Sequence, residues 1–315
     1  MGRQRGRALG FRVRGPVENL SRVRRNRILY PALVSRTELD LPRRPLLVIQ
    51  ASPAWRSVDL SEVWRYRELL YFFVWRDVKV RYKQTVLGVT WAVIQPLFAM
   101  LIFTFFFGKV AGLPSDGIPY PAFAFVGLLP WTFFASSVNN GSQSVLASAN
   151  LVTKVYFPRI LIPLASVTTG VVDFAFAFVM VGPLMLLLRV RPGFSTLAMI
   201  PVAMFVCLLV CVGLSFWLSA LVVRFRDLRH VVPFLVQIWL FATPIVYPLS
   251  MIPARYRWAV ELNPVAPVVE AFRGALFGRE IPYSGLAWSA AVGIALMWTG
   301  SIYFRHLERV FADVV

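Results

Sequence analysis

An all-α polytopic membrane protein is predicted by three observations on this 315-residue sequence: 58% of its residues are hydrophobic, only 15% are charged, and long uncharged runs recur between basic clusters. Soluble domains carry about 25% charged residues. A hydrocarbon core about 30 Å thick takes roughly 20 apolar residues per helix, so uncharged runs translate directly into spans.

Six transmembrane helices are expected on that basis. The first lies at 86–107, between Lys83 and Lys109, and the second at 120–145. The third covers Ile160 to Leu188 and the fourth 196–223, between Arg191 and Arg224. The fifth, at 231–250, contains Pro233, Pro244 and Pro248 and should be buried or broken, because prolines within spans need neighbours to satisfy the freed backbone groups. The sixth, 285–304, ends at Arg305.

The formal charge of +18 would point to nucleic acid in a soluble protein. Here the basic residues cluster at span ends and in the first 60 positions, so charge reads as topology and no nucleic-acid partner is expected. A cytoplasmic N-terminus puts Arg76, Lys79, Arg81, Lys83, Lys154, Arg159, Arg224, Arg226, Arg229, Arg305 and Arg309 inside. Outside then fall Lys109, Arg189, Arg191, Arg255, Arg257, Arg273 and Arg279. The bias, with the basic tail, gives a multi-pass chain with both termini in the cytoplasm.

Three regions are expected: 1–57, 58–85 and 86–310. The first contains 13 Arg and no Lys, lacks an apolar period, and reads as a disordered basic tail. Its electrostatic role would be attachment to anionic membrane lipids; an extension without a role is the plainer alternative. Asp59 and Glu62 are spaced as a capping box for the second region. From Val63 to Trp75 most apolar residues, including Trp64, Tyr66, Leu70, Phe73 and Trp75, fall on one broad arc, with Arg76 among the charges opposite. That pattern predicts a helix lying along the cytoplasmic interface.

The entry to the first span reads Arg81-Tyr82-Lys83-Gln84 and runs on to Trp91 and Gln95-Pro96. Positive anchors and an interfacial Trp explain most of it. Between the second and third spans comes a short basic connector, with Asn150, Leu151, Val152, Lys154, Tyr156, Phe157, Pro158 and Arg159. It reads either as a solvated loop with two anchors or as a docking element whose Leu151, Val152, Tyr156 and Phe157 face protein while Lys154 and Arg159 face lipid or acidic groups of a partner.

Taken together, the Arg-Tyr-Lys-Gln entry, the 150–163 connector, Arg226-Asp227 with Gln237 and Thr243-Pro244-Ile245-Val246-Tyr247, and Asn263-Pro264 ahead of Arg273 resemble the permease subunits of type-2 ABC exporters for cell-surface polysaccharides such as O-antigen, capsule and teichoic acid. The resemblance covers about residues 60–310. It implies a half-transporter in the bacterial cytoplasmic (inner) membrane that pairs with a second copy of itself, the homodimer enclosing a path for a lipid-linked polysaccharide. The interfacial helix would be a gate helix, residues 150–159 a coupling helix seated on a separate ATPase subunit, and the stretch from about Ser250 to Tyr283 short re-entrant helices. A drug, lipid or other small-molecule cargo is the alternative.

The residues themselves agree in part. No Gly-x-x-x-x-Gly-Lys-Ser/Thr loop occurs, so no cofactor is expected on this chain, and ATP and Mg would belong to the partner. A membrane-embedded glycan or lipid transferase is disfavoured, since no convergent acids, His or Cys mark a catalytic site. Cys207 and Cys211 read as packing residues.

Asp173 is the lone acid inside the third span, where it costs about 2.5 to 3.5 kcal/mol on insertion scales. It lines or gates a channel, or it is a hydrogen-bonded packing residue near Thr168 and Thr169. Trp131, Phe134, Trp239 and Tyr247 divide the same way, between a glycan path and core packing. The series Ala287, Ala291 and Ala295, with Gly293 nearby, predicts close helix packing in the last span.

Overall fold

The computed structural model describes residues 60–83, 88, 90–189 and 198–314. The expected tail at 1–57, the Asp59 cap, Gln84 and Arg191 lie outside the described residues. Within them the secondary structure is helical, and five helices are long and apolar enough to cross a bilayer.

A short α1 (Leu60–Arg65) and α2 (Arg67–Lys83) precede the first span. Gly88 takes a left-handed φ of 50°, and α3 starts two residues later at Thr90. α3 (Thr90–Phe103) is prolonged by a π-helical segment (Thr104–Val110), so this span sits a few residues later than expected. The second, third, fourth and last spans are α4 (Tyr120–Ala147), α6 with α7 (Leu161–Val179, Val181–Leu187), α8 (Met199–Arg224) and α12 (Tyr283–Val314). α5 (Ala149–Lys154) forms the connector between α4 and α6.

The remaining expected span, 231–250, is shorter as a helix. α9 (Leu228–Ala242) has 15 residues, about 22 Å at 1.5 Å per residue, and stops where Pro244 follows Thr243. The break expected from its prolines is therefore present, and five full-length helices are found rather than six. Two short helices follow, α10 (Ala254–Glu261) and α11 (Ala266–Phe277). Ten of the twelve residues of α11 are buried, as an almost entirely apolar helix requires. Gly278 ends it in a left-handed conformation, with the Arg279 N–H donating to the Gly274 carbonyl at 3.0 Å.

α4 and α8 form the centre and are buried over most of their length. α12 packs along α8, α6 along α4, and α2 along α6. Where α4 crosses α8, a Cβ on Gly141 would stand 2.2 Å from the Ser215 hydroxyl. Along α8 and α12, a Cβ on Gly213 would stand 2.6 Å from the Met297 backbone nitrogen, and one on Gly300 2.9 Å from the Gly213 carbonyl. Small residues thus bring the backbones together, where apolar lipid gives little hydrophobic drive.

The predicted alanine series is not that contact. Ala287, Ala291 and Ala295 are exposed, and α12 packs through Ser289, Gly293, Gly300 and Phe304 on its other side. Both faces carry small residues four apart, and periodicity alone does not choose between them. Cys207 and Cys211 are free and buried in α8.

Candidate functional site

The connector starts where Ser148 breaks α4, and α5 lasts only to Lys154. Val155 is extended, and Pro158 cannot prolong a helix from the preceding residues. Val152 and Phe157 are buried, Leu151, Pro158 and Arg159 half-buried, and Asn150, Thr153, Lys154, Val155 and Tyr156 exposed. Phe157 packs edge-to-face on Phe73 of α2, with ring centroids 5.3 Å apart, and the Arg76 guanidinium lies 5.1 Å from the Phe73 ring centroid.

Arg159 turns back into the protein. Its backbone N–H donates to the Glu308 carboxylate at 3.1 Å, and its guanidinium donates to the Glu308 carbonyl near the end of α12. Two of the sequence expectations are thereby corrected. Val152 and Phe157 face protein, but it is their own chain, and Arg159 is held by Glu308. The outward face of the connector is Asn150, Lys154, Val155 and Tyr156, with Tyr156 77% exposed.

α1, the turn at Tyr66 and α2 together present two apolar faces. Tyr66, Leu69, Leu70, Phe73 and Val74 pack inward, whereas Trp64, Tyr71, Phe72 and Trp75 are exposed. The single arc expected from the sequence therefore divides, with Trp64 and Trp75 on the outer side. Such a helix fits a position between protein and membrane interface.

Arg81 and Tyr82, at the end of α2, meet Asp173 of α6. The Arg81 guanidinium pairs with one carboxylate oxygen and the Tyr82 hydroxyl donates to the other. Burial, and secondly the carboxylate, push the Tyr82 phenol well above its ordinary pKa. The Tyr82 ring also lies edge-to-face on Phe176. Thr168 and Thr169 bond instead to the carbonyls of Leu164 and Ala165 in their own helix, so the expected threonine environment of Asp173 is replaced by the entry motif. Lys83 is exposed.

These three residues form one wall of a cavity of about 640 Å³ between α2, α3, α4 and α6. Trp91 and Gln95 of α3 and Thr132, Ser136 and Asn140 of α4 line it too. Asn140 was not singled out from the sequence. Its signal was the polar run Asn139 to Ser144 at the end of an uncharged span.

The four candidate path aromatics are elsewhere. Trp131 and Phe134 are buried, with ring centroids 5.4 Å apart, and Phe134 meets Trp239 edge-to-face at 5.1 Å. Trp239 donates its indole N–H to the Asn263 side-chain oxygen at 3.0 Å, and the Tyr247 hydroxyl donates to the Phe241 carbonyl at 2.9 Å. Trp131 and Phe134 are thus packing residues in this conformation, not a lining.

That aromatic cluster adjoins a polar lock on the break after α9. The Asn263 amide donates to the Thr243 hydroxyl at 2.9 Å. The Arg273 guanidinium donates to the carbonyls of Pro244 and Ile245 at 2.6 and 2.8 Å and to Glu270 at 2.8 Å, over the Phe123 ring. Arg273, counted on the outer side of the membrane from its charge, is 2% exposed. Its role is to satisfy backbone groups that an interrupted helix leaves open. Among the described residues no three His, Cys, Asp or Glu side chains converge as a metal site.

The sequence profile described as ABC-2 type transporter matches residues 68–277, which include α2, the connector, the Arg81–Asp173 pair and the lock. The chain is 34% identical over 263 residues to the O-antigen export system permease protein RfbA of Myxococcus xanthus, covering 81% of this chain and 98% of that protein. It is 31% identical to the permease of the same name from Klebsiella pneumoniae, over 79% of this chain and 95% of the relative. It is also 27% identical to the polysialic acid transport protein KpsM of Escherichia coli, over 74% and 91%. With two thirds of the chain under the family profile and nearly the full length of these relatives matched, this membrane protein belongs to the ABC-2 type transporter family.

Proposed function

We propose that the chain is the transmembrane subunit of an ATP-driven exporter that moves a lipid-linked, O-antigen-like polysaccharide across the bacterial inner membrane. The observation that carries this reading is the 34% identity across 98% of a relative named as an O-antigen export permease. The subunit is not an enzyme: ATP and its Mg bind to a separate ATPase partner, and this chain's task is conformational. Two copies enclose the path, both termini are cytoplasmic, and the three regions divide the work. The tail at 1–57 meets anionic lipid, 58–85 gates at the interface, and 86–310 crosses the membrane.

In this reading α5 and the residues after it receive the motion of the ATPase. The connector is braced from behind by Phe73 and Glu308, so a push on Lys154 and Tyr156 reaches both α2 and α12. Coupling then runs through packed elements rather than a flexible loop.

Deleting the gene and staining intact cells for surface glycan tests the proposal. Loss of the glycan, its return with the wild-type chain, and failure to return when the partner's phosphate-loop lysine is substituted are expected. Undiminished surface glycan in the deletion strain would overturn it.

A further inference from the structure

We infer that the cavity between α2, α3, α4 and α6 is a carbohydrate subsite that holds a neutral sugar ring of the cargo within each protomer. The inference rests on the export reading above. At about 640 Å³ the cavity lies in the range of small-ligand sites and has room for more than one ring.

Its wall has the two surfaces that a sugar ring needs. Trp91, 55% exposed, and the half-buried Phe174 offer apolar ring area to the C–H faces of a sugar, over the buried Phe133. Gln95 and Asn140 offer amides, each with two donors and an acceptor, to the hydroxyl edge. Among the described residues neither amide is bonded to another side chain. The hydroxyls of Thr132 and Ser136 donate to the carbonyls of Leu129 and Phe133 in their own helix, which leaves their lone pairs to accept from a ligand.

Charge decides the class of ligand. Arg81 and Asp173 are the only ionised residues among the described lining, and they neutralise each other. A phosphate or diphosphate would have to take Arg81 from Asp173 and leave the carboxylate unpaired in the membrane. An amine would do the reverse. An acyl chain would leave Gln95 and Asn140 without partners, at a cost in each case. A neutral polyhydroxyl ring meets none of these penalties, and it can bond to Asp173 without breaking the ion pair, since a carboxylate accepts at more than two sites.

The test uses the full chain in cells that make their native surface glycan. A photo-crosslinking benzoyl-phenylalanine is placed at Gln95, at Asn140 or, as a control, at the exposed Leu187 of α7. After irradiation the tagged chain is purified, and carbohydrate on it is stained. Adducts at positions 95 and 140, absent at 187 and absent when glycan synthesis is blocked, are expected. Mild acid, which cuts the bond between sugar and lipid diphosphate, should leave the carbohydrate on the chain.

Carbohydrate released by that acid would mean contact with the lipid end and would overturn the sugar assignment. Export-competent variants with no adduct at 95 or 140, in a strain whose surface glycan needs this gene, would overturn it while the export reading stands. Surface glycan that survives gene deletion overturns both. Where the bulky label blocks export, Asn140→Ala is read instead: surface glycan should appear about two- to tenfold more slowly per chain, the range for one lost hydrogen bond. An unchanged rate overturns the subsite.

Discussion

Arg81 and Asp173, 92 residues apart in the sequence, form an ion pair that pins the end of α2 to α6. Tyr82 takes the second carboxylate oxygen, so two consecutive residues of the entry motif serve one acid. The lone acid of the third span is thereby compensated, and the positive residues at the membrane entry are more than topology anchors. Any tilt of α2 must carry α6 with it or break this pair.

Asp173→Asn should therefore weaken both the fold and export. With the side chains 34% and 22% exposed the pair is only partly buried, and breaking it is expected to cost about 1 to 3 kcal/mol, below the range for fully buried pairs. Thermal unfolding in lipid nanodiscs of Asp173→Asn, Arg81→Gln and the double variant forms a mutant cycle. The double variant should be little worse than the poorer single one. Fully additive losses would mean that the two residues act separately.

The spans were legible because hydropathy and length act locally along the chain, and even the break in α9 was announced by Pro244 and Pro248. What was not legible depends on which helix faces which. The entry motif and Asp173 were both noted, but nothing local pairs residues 92 positions apart. Phe157 was read as facing a partner because an aromatic residue in a connector signals burial without naming the surface that buries it. Arg273 was read only for the side of the membrane its charge favours; that its guanidinium would be buried on the carbonyls freed by a broken helix depends on which elements meet.

Arg273 gives the second prediction. Arg273→Ala would leave the buried Pro244 and Ile245 carbonyls unpaired, at about 1 to 3 kcal/mol each, and take the partner from Glu270, whose side chain is 26% exposed. Arg273→Lys keeps the charge but not the planar fork that reaches both carbonyls, so it should recover only part. The amount of folded chain extracted in mild detergent, and its unfolding temperature, should fall in the order wild type, Lys, Ala. A wild-type-like Ala variant would show that the lock does not hold the break.

Close packing of α8 on α12 supplies a third. A methyl group at Gly213 would meet the Met297 nitrogen at 2.6 Å and the Leu296 carbonyl carbon at 2.8 Å, and backbone cannot yield as a side-chain tip can. Gly213→Ala should destabilise by about 1 to 3 kcal/mol through overpacking. Gly182→Ala in α7, where nothing lies within 4 Å, should be neutral or slightly stabilising. The contrast, measured as melting temperatures in one detergent, separates helix contact from a general dislike of alanine at glycine positions.

The connector gives the last prediction, because its residues divide between an outer face and an inner brace. Tyr156 and Lys154 are exposed and make no contact that holds the fold, so Tyr156→Ala with Lys154→Glu should leave unfolding within about 0.5 kcal/mol of wild type. The same variant should lose export and the stimulation of the partner's ATPase, since the face proposed to meet that partner has changed shape and sign. Phe157→Ala should do the opposite in order: the cavity under Phe73 lowers stability by about 3 to 5 kcal/mol, and loss of export follows from loss of folded chain. Measuring ATPase stimulation and melting temperature on the same preparations distinguishes the two. Normal stimulation with the outer face altered would place the motor's contact on another part of the cytoplasmic surface.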